Sequence, residues 1–184
     1  AGDLYRYRLD GSASALPDPA SRFQPEGPLG PSMIIDPARF VWHDVEWKGV
    51  KIEGQVFYEM HIGTFTTEGT WLAARQQLKT LKDLGVTVLE IMPVHDFCGR
   101  YGWGYDGVNF FAPTRLYGTP DDFRAFVDDA HGIGLGRRDE RERHGEGAFR
   151  VGIAGHRIRD ERRSPLPGRT REGGRDPGAA GGHG

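Results

Sequence analysis

Residues 101–113, YGWGYDGVNFFAP, carry the side chains with the most chemical promise in the chain. Tyr101, Trp103, Tyr105, Phe110 and Phe111 are spaced by three glycines and one carboxylate, Asp106. The glycines and Asp106 favour a loop over a core segment. On a loop, flat aromatic faces suit ligands with apolar surfaces and hydroxylated rims, chiefly sugars, bases or other rings. Tyr and Trp also keep a polar group for ligand hydroxyls, and Asp106 beside Tyr105 can accept hydrogen bonds from them. A structural alternative has Trp103 and Phe110 filling the end of a barrel while Asp106 braces the loop backbone. Both readings stand on these residues alone.

Other chemically capable residues are weaker candidates. Glu59 and His61 fall on one apolar run and Glu90 on another, where barrel-interior or strand-end structural roles are expected rather than catalysis. His95 and Asp96 lie closer to the aromatic segment but match no catalytic motif. Cys98 is the single cysteine, which excludes an intrachain disulfide framework. No metal or cofactor is expected.

The aromatic segment needs a scaffold, and the text from Gln55 onward supplies one. VFYEMHI (56–62) reads as a strand and Gly63–Gly69 as a loop. Thr70 is placed to cap the helix WLAARQQLKTLKDL, with Leu78, Leu81 and Leu84 on one face and Gly85 as its stop. VTVLEIM (86–92) is a second buried strand ended by Pro93, and 93–118 is a long loop. Thr119 and Pro120 then open a helix ending near His131, with Phe123, Phe126, Val127 and Ala130 forming its apolar stripe. Strand, helix, strand, loop, helix is a parallel α/β pattern whose next strand is due just past Gly136. Ligands of such folds meet the loops at the carboxyl ends of the strands, and 93–118 is the longest such loop. Upstream, LYRYRL (4–9) alternates like a half-buried strand, and Trp42 and Trp47 are expected to pack a linker onto the α/β part.

Bulk properties bound the function. The formal charge of -2 makes no case for nucleic acid or an anionic membrane as partner. No apolar run approaches the ~20 residues of a membrane span, and the N-terminus lacks a signal-peptide core. A soluble, cytoplasmic protein is expected; its start without Met fits a processed or partial N-terminus. From Arg137 the composition turns to Arg and Gly, with Phe149 the one aromatic residue and no Lys. Such a tail cannot bury enough apolar surface to offset its chain entropy, so disorder is expected over 137–184. An Arg/Gly tail binding nucleic acid is the less favoured reading.

The strings YEMHIGTFTTEGTW, LGVTVLEIMPV and GWGYDGVNFFAPTRLYGTPDDFRAFVDDAHGIGLG resemble the start of the catalytic barrel in the α-amylase superfamily of glycoside hydrolases, family 13. Within it, YEMHIGTFTTEGT together with PDPASRFQPEGPLGPS is most similar to the malto-oligosyltrehalose trehalohydrolases. Those enzymes cleave the α-1,4 bond joining trehalose to a malto-oligosaccharide. Branching and isoamylase-type debranching enzymes share GTF, WGYD and YGTPDDF and are the close alternatives. The resemblance implies an α/β fold in which 41–136 are the first two βα units of a TIM (β/α)8 barrel. Residues 1–40 would then be the C-terminal edge of a preceding β-sandwich. It implies an α-glucan or malto-oligosyltrehalose as substrate. Tyr105 would stack on the sugar at the cleavage subsite, Asp106 would support that subsite, and Trp103 would shape its wall.

A glycosidase needs paired carboxylates across the bond. In this superfamily they follow the fourth, fifth and seventh strands, and the third strand reads close to DVVYNH. After HGIGLG this chain continues RRDERERHGEG, and none of those motifs appears. No catalytic residue is assigned, and the chain as written is expected to be inactive. The abrupt turn to residues with GC-rich codons suggests out-of-frame translation after Gly136, which the coding DNA would reveal.

Overall fold

The computed structural model describes residues 1–51 and 53–136. The disorder and frame expectations for 137–184 lie outside these described residues.

The chain opens with short antiparallel pairings. Strand β1 (Leu4–Tyr5) pairs with β4 (Ser32–Met33), and β2 (Tyr7–Arg8) with β3 (Ala15–Leu16). The expected single half-buried strand over 4–9 is therefore two pieces with different partners, and Leu4, Tyr7 and Leu9 are exposed. Two-residue ladders cannot impose a buried face, so the alternation has nothing to point into. The turns between them are held by side chains: buried Gln24 donates to the carbonyls of Pro28 and Gly30.

The second part is a parallel α/β unit. β5 (Phe57–Met60) and β6 (Val88–Ile91) pair in parallel, with Phe57 opposite Val88 and Met60 opposite Ile91. Between them lie a single helical turn, α1 (Ile62–Phe65), and α2 (Trp71–Asp83). The turn α1 occupies what the sequence suggested was plain loop. After β6 comes a hairpin of β7 (His95–Asp96) and β8 (Asn109–Pro113), then α3 (Pro120–Gly132). The 93–118 segment is thus not wholly loop.

Both long helices start as their sequences dictate. Thr70 Oγ1 accepts from the Ala73 amide, and Thr119 forms a reciprocal capping box with Asp122. They also end alike. At Gly85 (φ 99°) and Gly134 (φ 79°) the chain turns left-handed, and two backbone bonds close a Schellman motif each time. These are Gly85 to Lys82 with Val86 to Leu81, and Gly134 to His131 with Leu135 to Ala130. Leu84, expected on the buried face of α2, is instead its exposed C-cap.

One face of the β5/β6 pair is covered by α2 and α3, which meet through Trp71 stacked on Phe123 at 4.4 Å. Met60, Leu78, Leu81, Ile91, Phe126 and Val127 complete this core. The strap 42–50 closes one side: Trp42 packs on the core, and Trp47 packs against Val50 and Val88. Trp47 also stacks on His131 at 3.7 Å and donates Nε1–H to the Gly136 carbonyl. The Gly136 amide in turn donates to the Thr87 carbonyl, so α3 delivers the chain to the flank of β6.

Candidate functional site

The aromatic segment is the crown of the β7/β8 hairpin, and two contacts hold it over the carboxyl ends of the parallel strands. His61, directly after β5, has Nε2 2.9 Å from the Gly102 carbonyl oxygen. Pro93, just past β6, meets Gly104 so closely that a Cβ there would sit 1.7 Å from the Pro93 carbonyl oxygen. Gly104 also has φ of 88°, a conformation costly for any other residue. Gly104 is thus demanded by backbone approach.

Trp103 and Tyr105 flank Gly104 and are 73% and 68% exposed, and Tyr101 is more exposed still. Asp106 is exposed and has no hydrogen-bond or ion-pair partner among the described residues. Trp103 and Phe110, at 73% and 69% exposure, fill no core among the described residues, and Asp106 braces no backbone. Phe110 meets His95 edge-on at 5.4 Å. The arrangement offers two projecting aromatic rings and a solvated carboxylate at the strand ends, a surface able to bind a ring and its hydroxyls.

Glu59 and Glu90 are adjacent in the parallel register and exposed on the sheet face opposite the helices. Among the described residues His61 joins no carboxylate; its Nε2 also lies 2.9 Å from the Tyr117 hydroxyl. Burial pushes the Tyr117 phenol up to about 12, so it stays protonated. Asp96 is fully buried and bonded to Arg115 at 2.9 Å. Burial raises its pKa, opposed in part by the Thr114 hydroxyl and by Arg115. The pair anchors the root of the hairpin, and Arg115 in turn covers Gly27 of the N-terminal part. Sequence reasoning did not find this role for Asp96: Arg115 is nineteen positions away, and no local pattern links them. Among the described residues, no cluster of His, Cys, Asp and Glu could hold a metal ion, and no helix is long and apolar enough to cross a membrane.

The sequence and fold have counterparts among known proteins. No protein-family model matches the chain. A Deinococcus radiodurans malto-oligosyltrehalose trehalohydrolase is 49% identical over 135 residues, covering 73% of this chain and 22% of the relative. The Saccharolobus solfataricus enzyme of the same name is 52% identical over 134 residues, covering 73% and 24%. A 1,4-alpha-glucan branching enzyme from Pseudoalteromonas atlantica is 34% identical over 154 residues, covering 74% and 21%. Among solved structures, an α-amylase-like protein from Salmonella typhimurium superposes with a TM-score of 0.69 at 53% identity, over 72% of this chain and 22% of that one. Over the matched residues the chain is similar to enzymes of the α-amylase family of glycoside hydrolases. Within that family the similarity reaches 52% with malto-oligosyltrehalose trehalohydrolases, against 34% with the branching enzyme. The chain spans less than a quarter of the length of these relatives.

Proposed function

We propose that residues 41–136 are the first two βα units of a (β/α)8 barrel, and that their crown forms part of an α-glucan-binding cleft. In the whole enzyme, that cleft serves hydrolysis of the α-1,4 bond that releases trehalose from malto-oligosyltrehalose. Residues 1–40 are the closing edge of a β-sandwich before the barrel. The observation that carries the reading is the exposure of Trp103 and Tyr105 at the carboxyl ends of a parallel strand pair. Ring burial against a glucose face stabilises binding, Tyr105 being the stacking ring, Trp103 the wall and Asp106 an acceptor for sugar hydroxyls.

Binding is as far as these residues go. Cleavage requires a carboxylic acid and a carboxylate on either side of the bond. Glu59 and Glu90 share one sheet face, and Asp96 is sealed in an ion pair. Uniform binding of substrate and transition state does not accelerate the chemical step. The 184-residue chain is therefore a non-catalytic glucan binder. Titrated with maltotriosyltrehalose, it is expected to change its tryptophan fluorescence while releasing no glucose, maltose or trehalose above a heat-killed control. Tyr105→Ala should weaken binding by ~1–3 kcal/mol of lost ring burial. Turnover by the purified chain, or full affinity in Tyr105→Ala, would overturn the reading.

Similarity to the branching enzyme supports a second reading, in which the same cleft serves glucan branching or debranching. Preference for a branched malto-oligosaccharide over maltotriosyltrehalose would favour it.

A further inference from the structure

His61 directly follows β5 and joins two segments distant in sequence. Its Nε2 lies 2.9 Å from the Gly102 carbonyl oxygen and 2.9 Å from the Tyr117 hydroxyl, and its Nδ1 lies 3.2 Å from Thr64 Oγ1. A carbonyl oxygen can only accept, so the Gly102 contact requires the proton on Nε2. In the neutral ring this leaves Nδ1 as an acceptor facing the Thr64 hydroxyl, and the Tyr117 oxygen shares the Nε2 proton. The imidazole is fixed in orientation as well as in tautomer. Its ring meets that of Tyr117 edge-on at 5.7 Å, and Tyr117 meets the buried Trp71 at 6.1 Å. A Cβ at Gly63 would sit 2.8 Å from Tyr117 Cε1 and 2.9 Å from His61 Cε1, so Gly63 leaves the room that the two rings occupy.

The crown it touches has less side-chain support, its other close backbone contact being Pro93 at Gly104. Gly99, Gly102, Gly104 and Gly107 make its backbone rich in alternative conformations. Trp103 and Tyr105 have neither a side-chain hydrogen bond nor a ring partner among the described residues. Their direction is set by the backbone that carries them. Gly102 immediately precedes Trp103, and its own Cβ position is closed by the Phe97 ring at 2.8 Å.

We infer that His61 is a positioning residue for the aromatic platform: its Nε2–H holds the Gly102 carbonyl and so sets the direction in which Trp103 and Tyr105 project. The inference rests on the reading of that platform as a glucan-binding surface. Holding the crown before the ligand arrives reduces the ordering cost of binding. A glutamine at 61 can present its amide nitrogen where Nε2 stands, whereas an asparagine reaches only the place of Nδ1.

Two readouts on the full chain separate the outcomes. The first is the heteronuclear NOE of the Trp103 indole N–H, which needs no ligand, with the Trp71 indole as internal reference for the core. Trp103 is expected to be ordered in the wild type and in His61→Gln. It should become mobile on the nanosecond scale in His61→Leu while Trp71 is unchanged. The second is affinity for maltotriosyltrehalose, expected to fall roughly five- to tenfold in His61→Leu, the effect of one lost hydrogen bond, and to stay within about twofold in His61→Gln. An unchanged Trp103 signal in His61→Leu overturns the inference. Ordering that depends on His61 without any glucan binding in the wild type upholds the positioning and removes the platform reading instead. Should His61→Leu fail to fold, Gln and Asn decide: equal Trp103 order in both overturns the role of Nε2–H.

Discussion

Asp96 and Arg115 illustrate how much depends on a pair that never touches ligand. The carboxyl is fully buried and its partner guanidinium is 2.9 Å away. Removing Arg115 leaves a charge with no water to solvate it, an arrangement that costs ~3–5 kcal/mol. Arg115→Met is expected to lower the urea-denaturation stability by about 3 kcal/mol near neutral pH. Asp96→Asn in the same chain should restore much of the loss, because no charge then remains to be stranded. The pH sign is given by the raised pKa of Asp96. The native state binds this proton more tightly than the unfolded chain, so the group favours folding more as pH falls through its folded value. Without Arg115 that pKa rises further, and the gap between wild type and Arg115→Met should narrow as the pH falls. A gap that widens on acidification would mean that the Asp96 carboxyl is not the stranded group.

At the scale of elements, the strap and α3 are joined by two crossed His–Asp pairs. His43 Nδ1 lies 2.7 Å from Asp128 Oδ2, and the backbone amides of His43 and Asp44 both donate to Asp128 Oδ1. His131 Nδ1 lies 2.7 Å from Asp44 Oδ2, under the stacked Trp47 ring. Burial lowers the pKa of His131, more than Asp44 and Asp128 raise it. Burial alone would raise that of Asp128, but the His43 ring and the two amides outweigh it, and the net shift is downward. Both signs agree. A depressed imidazole pKa means that the unfolded strap binds more protons below about pH 6.5, and a depressed carboxyl repeats the effect in stronger acid. The strap should therefore loosen on acidification from about pH 7.5 to about pH 5.5. Protection of the Trp47 indole proton against hydrogen exchange is expected to fall over that range, and His131→Asn should flatten the dependence. Equal protection at both ends of the range would contradict it. None of this was legible in the sequence, where the paired residues stand 85 and 87 positions apart. The helices were legible, because capping and the apolar stripe are local. The β7/β8 hairpin was not, since contiguous Phe110 and Phe111 break the period-two pattern and the glycines speak for loop. The crown's aromatic residues were legible as a group but not in their direction, which depends on Pro93 and His61.

Taken whole, the described residues cover one face of their parallel sheet and only part of the other, where Trp47 and Val50 bury Val88. Phe57 is 40% exposed there, beside Glu59 and Glu90, and Leu4, Tyr7, Leu16 and Leu29 add apolar surface on the N-terminal part. Exposed apolar area of this kind, next to unpaired strand edges, promotes association. Light scattering on the purified chain is expected to give a mass that climbs above 20.4 kDa with concentration; a constant monomer mass would mean that these faces are protected. The paired Schellman endings point to a different property, the order in which the molecule can assemble during synthesis. Each helix closes with bonds spanning only a few residues and then tucks Val86 or Leu135 into the core, so a unit can finish before the ribosome has made the next. β5 meets β6 across only 31 positions, Phe57 to Val88, and Gly136 reaches the flank of β6 directly from the second closure. Folding of this kind can advance from the N-terminal side one unit at a time, each completed helix presenting the next segment to a strand already in place.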